Sequence, residues 1–163
     1  MTVILETDRL ILRKFKSEDL DSLYEYRNDE ECGRYQRWEN TELEYLKEFI
    51  ENEKNKELKE DNIQVAIELK ANKQLIGDIF IAFKEKIVTI GYTISPKYQR
   101  KGYAYETLKE LINYIFERFT SYDEIVAMVH PDNLPSKNLI EKLNFKKEGY
   151  FEKVSSIIYS MQR

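Results

Sequence analysis

A chain of 163 residues, 42% hydrophobic and 34% charged, has the size and composition of one globular domain with a substantial core, 1–163. No apolar run approaches the ~20 residues that cross a bilayer, and the first residues lack a signal-peptide core, so the expectation is a cytoplasmic protein with no membrane partner. A single cysteine, Cys32, excludes an internal disulfide, and a single histidine, His130, argues against a metal site built from soft ligands; no metal is expected.

The net charge of −4 is unevenly spread. Residues 1–60 carry 17 acidic and 11 basic side chains, and the remainder carries 13 and 15. An acidic first part repels nucleic acid and suits a cationic partner, or is simply the solvated face of two helices. Arg9 to Phe15 reads as a first strand, with Ser17 as N-cap of a helix running to about Asn28. Residues Asp29 to Asn40 read as a loop carrying Tyr35, Arg37 and Trp38. Thr41 to Glu44 matches a capping box, followed by an apolar face of Leu43, Leu46, Phe49 and Ile50. Ile63 to Leu69, Leu75 to Phe83 and Ile87 to Ile94 then form an antiparallel meander, with Ala71-Asn72-Lys73 as a tight turn. A long helix from Tyr103 to Phe119 keeps Ala104, Leu108, Leu111, Ile112, Ile115 and Phe119 on one stripe. A strand at Glu124 to His130, a helix to about Leu143, and strands at Lys146 to Tyr150 and Val154 to Met161 complete a mixed sheet with helices on its faces.

The join between the meander and the long helix carries the chemistry. Ser95-Pro96-Lys97-Tyr98-Gln99-Arg100-Lys101-Gly102-Tyr103-Ala104 is a basic, glycine-bearing turn at a helix N-terminus. The first backbone N–H groups of a helix lack internal partners and the dipole there is positive, so the turn favours a phosphate or pyrophosphate. Neither a P-loop nor a dinucleotide-binding glycine pattern is present.

A second motif, Asn133 to Phe145, follows the next strand. Together the two resemble the GNAT superfamily of acyl-coenzyme-A-dependent N-acetyltransferases: Gln99-x-x-Gly102-x-Ala104 is similar to that family's pyrophosphate loop and Asn133 to Phe145 to its second cofactor motif. Thr7-Asp8-Arg9-Leu10-Ile11-Leu12-Arg13, Ile90-Gly91-Tyr92 and Asn133-x-x-Ser136 resemble the branch containing ribosomal-protein N-terminal acetyltransferases. The resemblance implies an α/β (α+β) GNAT fold, a mostly antiparallel mixed sheet of about seven strands flanked by about four helices, with its central strand pair splayed. It implies acetyl-CoA as cosubstrate and, as partner, an amine acceptor that is either a protein N-terminus or a small cationic molecule, acting as monomer or homodimer.

Site roles follow from the same likeness. Main-chain N–H groups of Arg100, Lys101, Gly102, Tyr103 and Ala104 would bind the pyrophosphate; Ile94, Ser95, Asn133, Ser136 and Asn138 would contact the coenzyme arm, although Asn133 also reads as a plain helix cap ahead of Pro135. The backbone N–H of Ile94 or its neighbour would stabilise the oxyanion as the amine attacks the thioester directly. The family's tyrosine acid, seven residues after the motif's Asn, is replaced by Ile140, which leaves Ser136 to meet the sulfur or to cap its helix. The family's glutamate base is replaced by Thr89. Glu68 and Asp78 are the candidate bases, each equally readable as a strand carboxylate; His130 is a further candidate or a structural histidine, and Cys32 reads as a buried thiol. Tyr35, Trp38 and Tyr92 would line the acceptor pocket or pack as anchors. Asn144, where the family has glycine, is compatible with a left-handed helix end. The alternative from another class is a non-catalytic acyl-CoA-binding sensor.

Overall fold

The computed structural model describes residues 2–59 and 61–163. Eight strands form one sheet: β1 (Val3–Glu6), β2 (Leu10–Arg13), β3 (Asn62–Leu69), β4 (Gln74–Lys84), β5 (Ile87–Ile94), β6 (Glu124–Val129), β7 (Lys146–Phe151) and β8 (Ser156–Gln162). Their order is β1-β2-β3-β4-β5-β6-β8-β7. Every pairing is antiparallel except β5 with β6. The meander β3-β4-β5 is antiparallel because its links are tight turns, with Lys73 and Glu85 taking left-handed backbone angles. β5 and β6 run parallel because a helical crossover joins them.

The helices are α1 (Leu20–Arg27), α2 (Glu30–Gly33), α3 (Leu43–Glu53), α4 (Tyr103–Arg118) and α5 (Leu134–Lys142). Alternation along β3 separates two cores. Val65 and Ile67 join Leu108, Leu111, Ile112 and Ile115 of α4 and Ile140 of α5 on one face. Ala66 on the other face joins Leu23, Tyr26, Cys32, Leu46 and Ile50 beneath α1, α2 and α3. The mostly antiparallel mixed sheet with flanking helices expected from sequence is therefore present, with an eighth strand at the N-terminal edge and a short fifth helix inside the segment expected to be a loop.

Two local expectations are corrected. Ser17 is not an N-cap; it opens a 3-10 turn whose N-cap position is Lys16, the Lys16 N–H donating to Asp19 Oδ2 at 2.9 Å, and Ser17 donates its hydroxyl to Glu51. The capping box at Thr41 does not form: α3 starts after Glu42 without a side-chain cap, because the Thr41 hydroxyl donates to Asn28 Oδ1 at 2.8 Å. A hydrogen bond to a residue 13 positions away has displaced the local one. Leu43 consequently lies outside the buried face of α3, 44% exposed.

Candidate active site

The site begins where the parallel pair parts. β5 and β6 pair from Ile87↔Glu124 to Ile90↔Ala127 and no further, while β5 continues along β4 to Ile94 and β6 continues along β8 to Val129. In an antiparallel ladder, successive residues turn their main-chain groups to opposite sides. Ser95 donates its N–H to Ile76 O at 2.7 Å, so Ser95 faces β4 and Ile94 and Tyr92 turn their main-chain groups into the split. Their carbonyls are met by side chains: Gln99 Nε2 donates to Ile94 O at 2.9 Å and Gln36 Nε2 to Tyr92 O at 3.4 Å. The geometry separates the two neighbouring candidates: the Ile94 N–H is directed into the split, whereas the Ser95 N–H is committed to the sheet, and its carbonyl accepts from Tyr98.

The basic turn sits at the same sheet edge. Arg100 and Gly102 are both left-handed, with φ of 63° and 81°. Gly102 is the N-cap of α4 and supplies no side-chain cap, and the first α-helical bond runs from Glu106 N to Gly102 O. The N–H groups of Tyr103, Ala104 and Tyr105 thus precede the first bonded turn of the helix, and no side chain of the turn caps them. This arrangement suits a pyrophosphate, and the split suits an extended arm that pairs with strand backbone; the residues present fit coenzyme A.

A clamp that sequence reasoning missed fixes this loop. Glu106, in the first turn of α4, accepts hydrogen bonds from Thr7 Oγ1 at 2.5 Å, Arg9 N at 3.0 Å and Arg9 Nε at 2.8 Å. Arg9 Nη1 also donates to Lys101 O at 3.0 Å, and its guanidinium lies 4.4 Å from the Tyr103 ring centre. Burial opposes ionisation of Glu106, but the hydrogen bonds from Thr7 and Arg9 outweigh it and hold its carboxyl below the usual range. The signal was available in the Thr7-Asp8-Arg9 segment, but only the fold brings it 97 residues along the chain to Glu106.

On the opposite side of the split, Asn133 caps α5, its Oδ1 accepting from Ser136 N at 3.3 Å. Ser136 Oγ accepts a hydrogen bond from Tyr92 Oη at 3.0 Å, so two hydroxyls bridge β5 and α5. Burial pushes the Tyr92 phenol up, with the Ser136 contact acting the other way. Ile140 is buried at 1% exposure in the core, and Asn144 takes φ of 71° at the end of α5, a conformation asparagine tolerates. Asn138 is exposed on α5.

The three aromatic candidates have different partners. Tyr35 stacks on His130 with ring centres 4.8 Å apart and donates to Asp132 O at 3.3 Å. Trp38 stacks 4.7 Å from the Arg27 guanidinium, with Phe49 at 4.9 Å. Tyr92 reaches Ser136. Residues 35–37 link three elements: Tyr35 reaches the β6–α5 loop, Gln36 reaches β5, and Arg37 Nη2 donates to Ser156 Oγ on β8 at 3.4 Å.

The candidate bases are committed elsewhere. Glu68, 3% exposed, pairs with Arg13 Nε at 2.5 Å, and Arg13 grips Asp19 with two bonds of 2.8 Å. Burial would lower the Arg13 pKa, but the Asp19 and Glu68 contacts raise it. In this network the Glu68 carboxylate is the counter-ion of a buried guanidinium. Asp78, 1% exposed, accepts from the Tyr26 hydroxyl, from Gln64 Nε2 at 3.2 Å and from Arg27 Nη2 at 3.4 Å. His130 Nδ1 accepts the Asp132 N–H at 3.1 Å, and its ring is covered by Tyr35. Cys32 Sγ lies 3.8 Å from Ile94 O as a weak donor, and burial, with Asp29 and Asp78 nearby, pushes its thiol up to about 12. It is no nucleophile. Among the described residues no group of His, Cys, Asp or Glu side chains is arranged to hold a metal ion.

Comparison with known proteins agrees with this geometry. A family model described as an acetyltransferase (GNAT) domain matches residues 9–146. An uncharacterized N-acetyltransferase of Bacillus subtilis, YoaA, is 35% identical over 153 residues, 91% of this chain and 86% of its own. The alanine N-acetyltransferase of ribosomal protein uS5 from Escherichia coli is 39% identical over 61 residues, 37% of this chain and 31% of its own. The solved structure of MccE, a microcin C7 self-immunity acetyltransferase in complex with acetyl-CoA and AMP, superposes with a TM-score of 0.80 at 19% identity, covering 96% of this chain and 93% of that one. The chain belongs to the GNAT family of N-acetyltransferases.

Proposed function

We propose that the protein transfers an acetyl group from acetyl-CoA to a primary amine, either of a protein or peptide N-terminus or of a small cationic molecule. The observation that carries this reading is the split between β5 and β6, with the Ile94 N–H facing into it and the uncapped start of α4 at the same edge. Arg100, Lys101, Gly102, Tyr103 and Ala104 bind the pyrophosphate through main-chain N–H groups, and the Arg9–Glu106 clamp holds that loop in shape. The Ile94 N–H stabilises the oxyanion, Asn133 orients the first turn of α5, and Ser136 meets the departing sulfur. With Glu68 and Asp78 engaged, water carries the amine's proton away.

The uS5-modifying relative and the acidic first 60 residues support a cationic amine such as a protein N-terminus. Ile140 and Thr89, in place of the family's acid and base, favour the second reading of a coenzyme sensor. Coenzyme A release from acetyl-CoA, measured against N-terminal peptides, polyamines, aminoglycosides and amino acids beside direct acetyl-CoA binding, separates the two. Amine-dependent thiol release is expected. Tight binding without release across the panel would favour the sensor, and absence of binding would overturn both.

A further inference from the structure

We infer that Tyr92 supplies the proton of the departing thiol, acting through Ser136. The inference rests on the acetyltransferase reading above and deepens it. Tyr92 lies on β5 beyond Ile90, the last residue paired to β6, and its Oη donates to Ser136 Oγ at 3.0 Å across the split. Ser136 is held from the other side, its N–H bound by Asn133 Oδ1. Since the serine oxygen accepts Tyr92's hydrogen, its own hydrogen is available to a third atom, and the thiolate is the acceptor that the reaction creates there.

The pairing resolves a mismatch. A serine hydroxyl alone is a poor acid, whereas a phenol is a far stronger one and so the better proton source for a departing thiolate. A phenol carries its proton at neutral pH, and burial pushes Tyr92 further the same way. The position seven residues after Asn133, occupied by Ile140, faces the core and offers no phenol. Tyr92 instead delivers one from β5.

The atoms balance without a further reactant. The C–N bond forms to give the tetrahedral oxyanion, which then collapses with cleavage of the C–S bond; the sulfur takes the Ser136 hydrogen, and Ser136 takes that of Tyr92. The proton lost by the amine returns through water to the phenolate, and the products are an amide and a free thiol. Tyr92, expected from sequence to line the acceptor pocket, is thereby a positioning residue on the thiol side of the reaction.

The test uses the full chain with the best amine of the panel. Tyr92→Phe keeps the ring and its packing; it is expected to lower kcat by about 10²-fold while KM for acetyl-CoA and the melting temperature change little. Ser136→Ala is expected to do the same, and the double variant to be no slower than the slower single one, because the hydroxyls act as a unit. Difluorotyrosine at position 92, a more acidic phenol of nearly the same shape, is expected to move the basic limb of the kcat–pH profile to lower pH. A Tyr92→Phe variant with unchanged kcat, or a basic limb that fluorination does not move, would overturn the proposal while leaving the acetyltransferase reading intact. Absence of thiol release by the unmodified protein with every amine would overturn that reading and this step with it.

Discussion

At Gly102 the backbone angle of +81° is one that a side chain strains, and an added Cβ would sit 3.4 Å from Arg9 Nη2. A left-handed non-glycine residue costs roughly 1–2 kcal/mol, and that cost falls on a loop whose N–H groups form the phosphate cradle. Gly102→Ala should therefore weaken acetyl-CoA binding about tenfold, the equivalent of ~1.4 kcal/mol, with a small effect on the melting temperature; titration calorimetry beside thermal unfolding checks it. Glu106→Gln should act more mildly, by a few-fold, because the Arg9 pair it weakens is partly exposed. At this scale the cradle was legible because its signal is local: a glycine, basic neighbours and a helix start within a few positions. Arg9, Gln36 and the true surroundings of Glu68 were not, because each finds its partner far along the chain, at Glu106, Tyr92 and Arg13 respectively.

Among the elements, strands with a sharp period were readable and those without it were not. β5 was readable end to end because six of the eight residues from Ile87 to Ile94 are β-branched. β1 is four residues long, has no fully buried position and pairs only at the sheet edge, so no period marks it. The link from β2 to β3 shows the energetic side of this. Arg13, Asp19 and Glu68 join the start of α1 to these two strands by a buried ion network. Removing one partner of such a network strands a charge away from water and costs roughly 3–5 kcal/mol. Glu68→Gln should lower stability by that order in urea unfolding, while the variant that remains folded keeps its kcat and its kcat–pH profile. A selective loss of kcat with unchanged stability would restore Glu68 as the base.

For the molecule as a whole, the buried groups beneath the α1–α3 layer set the response to alkali. Burial first, then Asp78, pushes the Tyr26 phenol well above its usual value, and burial, with Asp29 and Asp78, pushes Cys32 up to about 12. In the unfolded chain these groups titrate near 10 and 8.5. Between those values and the native ones, the unfolded state releases protons that the native state keeps, so stability falls as pH rises. The sign is that of raised pKa values: the contribution is complete below about pH 8.5 and is lost progressively on going up toward about 12. Urea midpoints measured from pH 7 to 10.5 should therefore hold steady and then decline above roughly pH 8.5–9. In Cys32→Ala the first part of that decline should shrink, because one of the protons responsible is gone, while the later part, carried by Tyr26, persists. Equal slopes in both proteins would mean that the thiol ionises as freely in the folded state as in the unfolded one. Cys32 also touches Ile94 O at the head of the split, and because the native thiol keeps its proton up to about 12, no charge reaches that edge of the active site while the chain stays folded; kcat should therefore not follow the decline in urea midpoint, and the loss in alkali should appear in stability first.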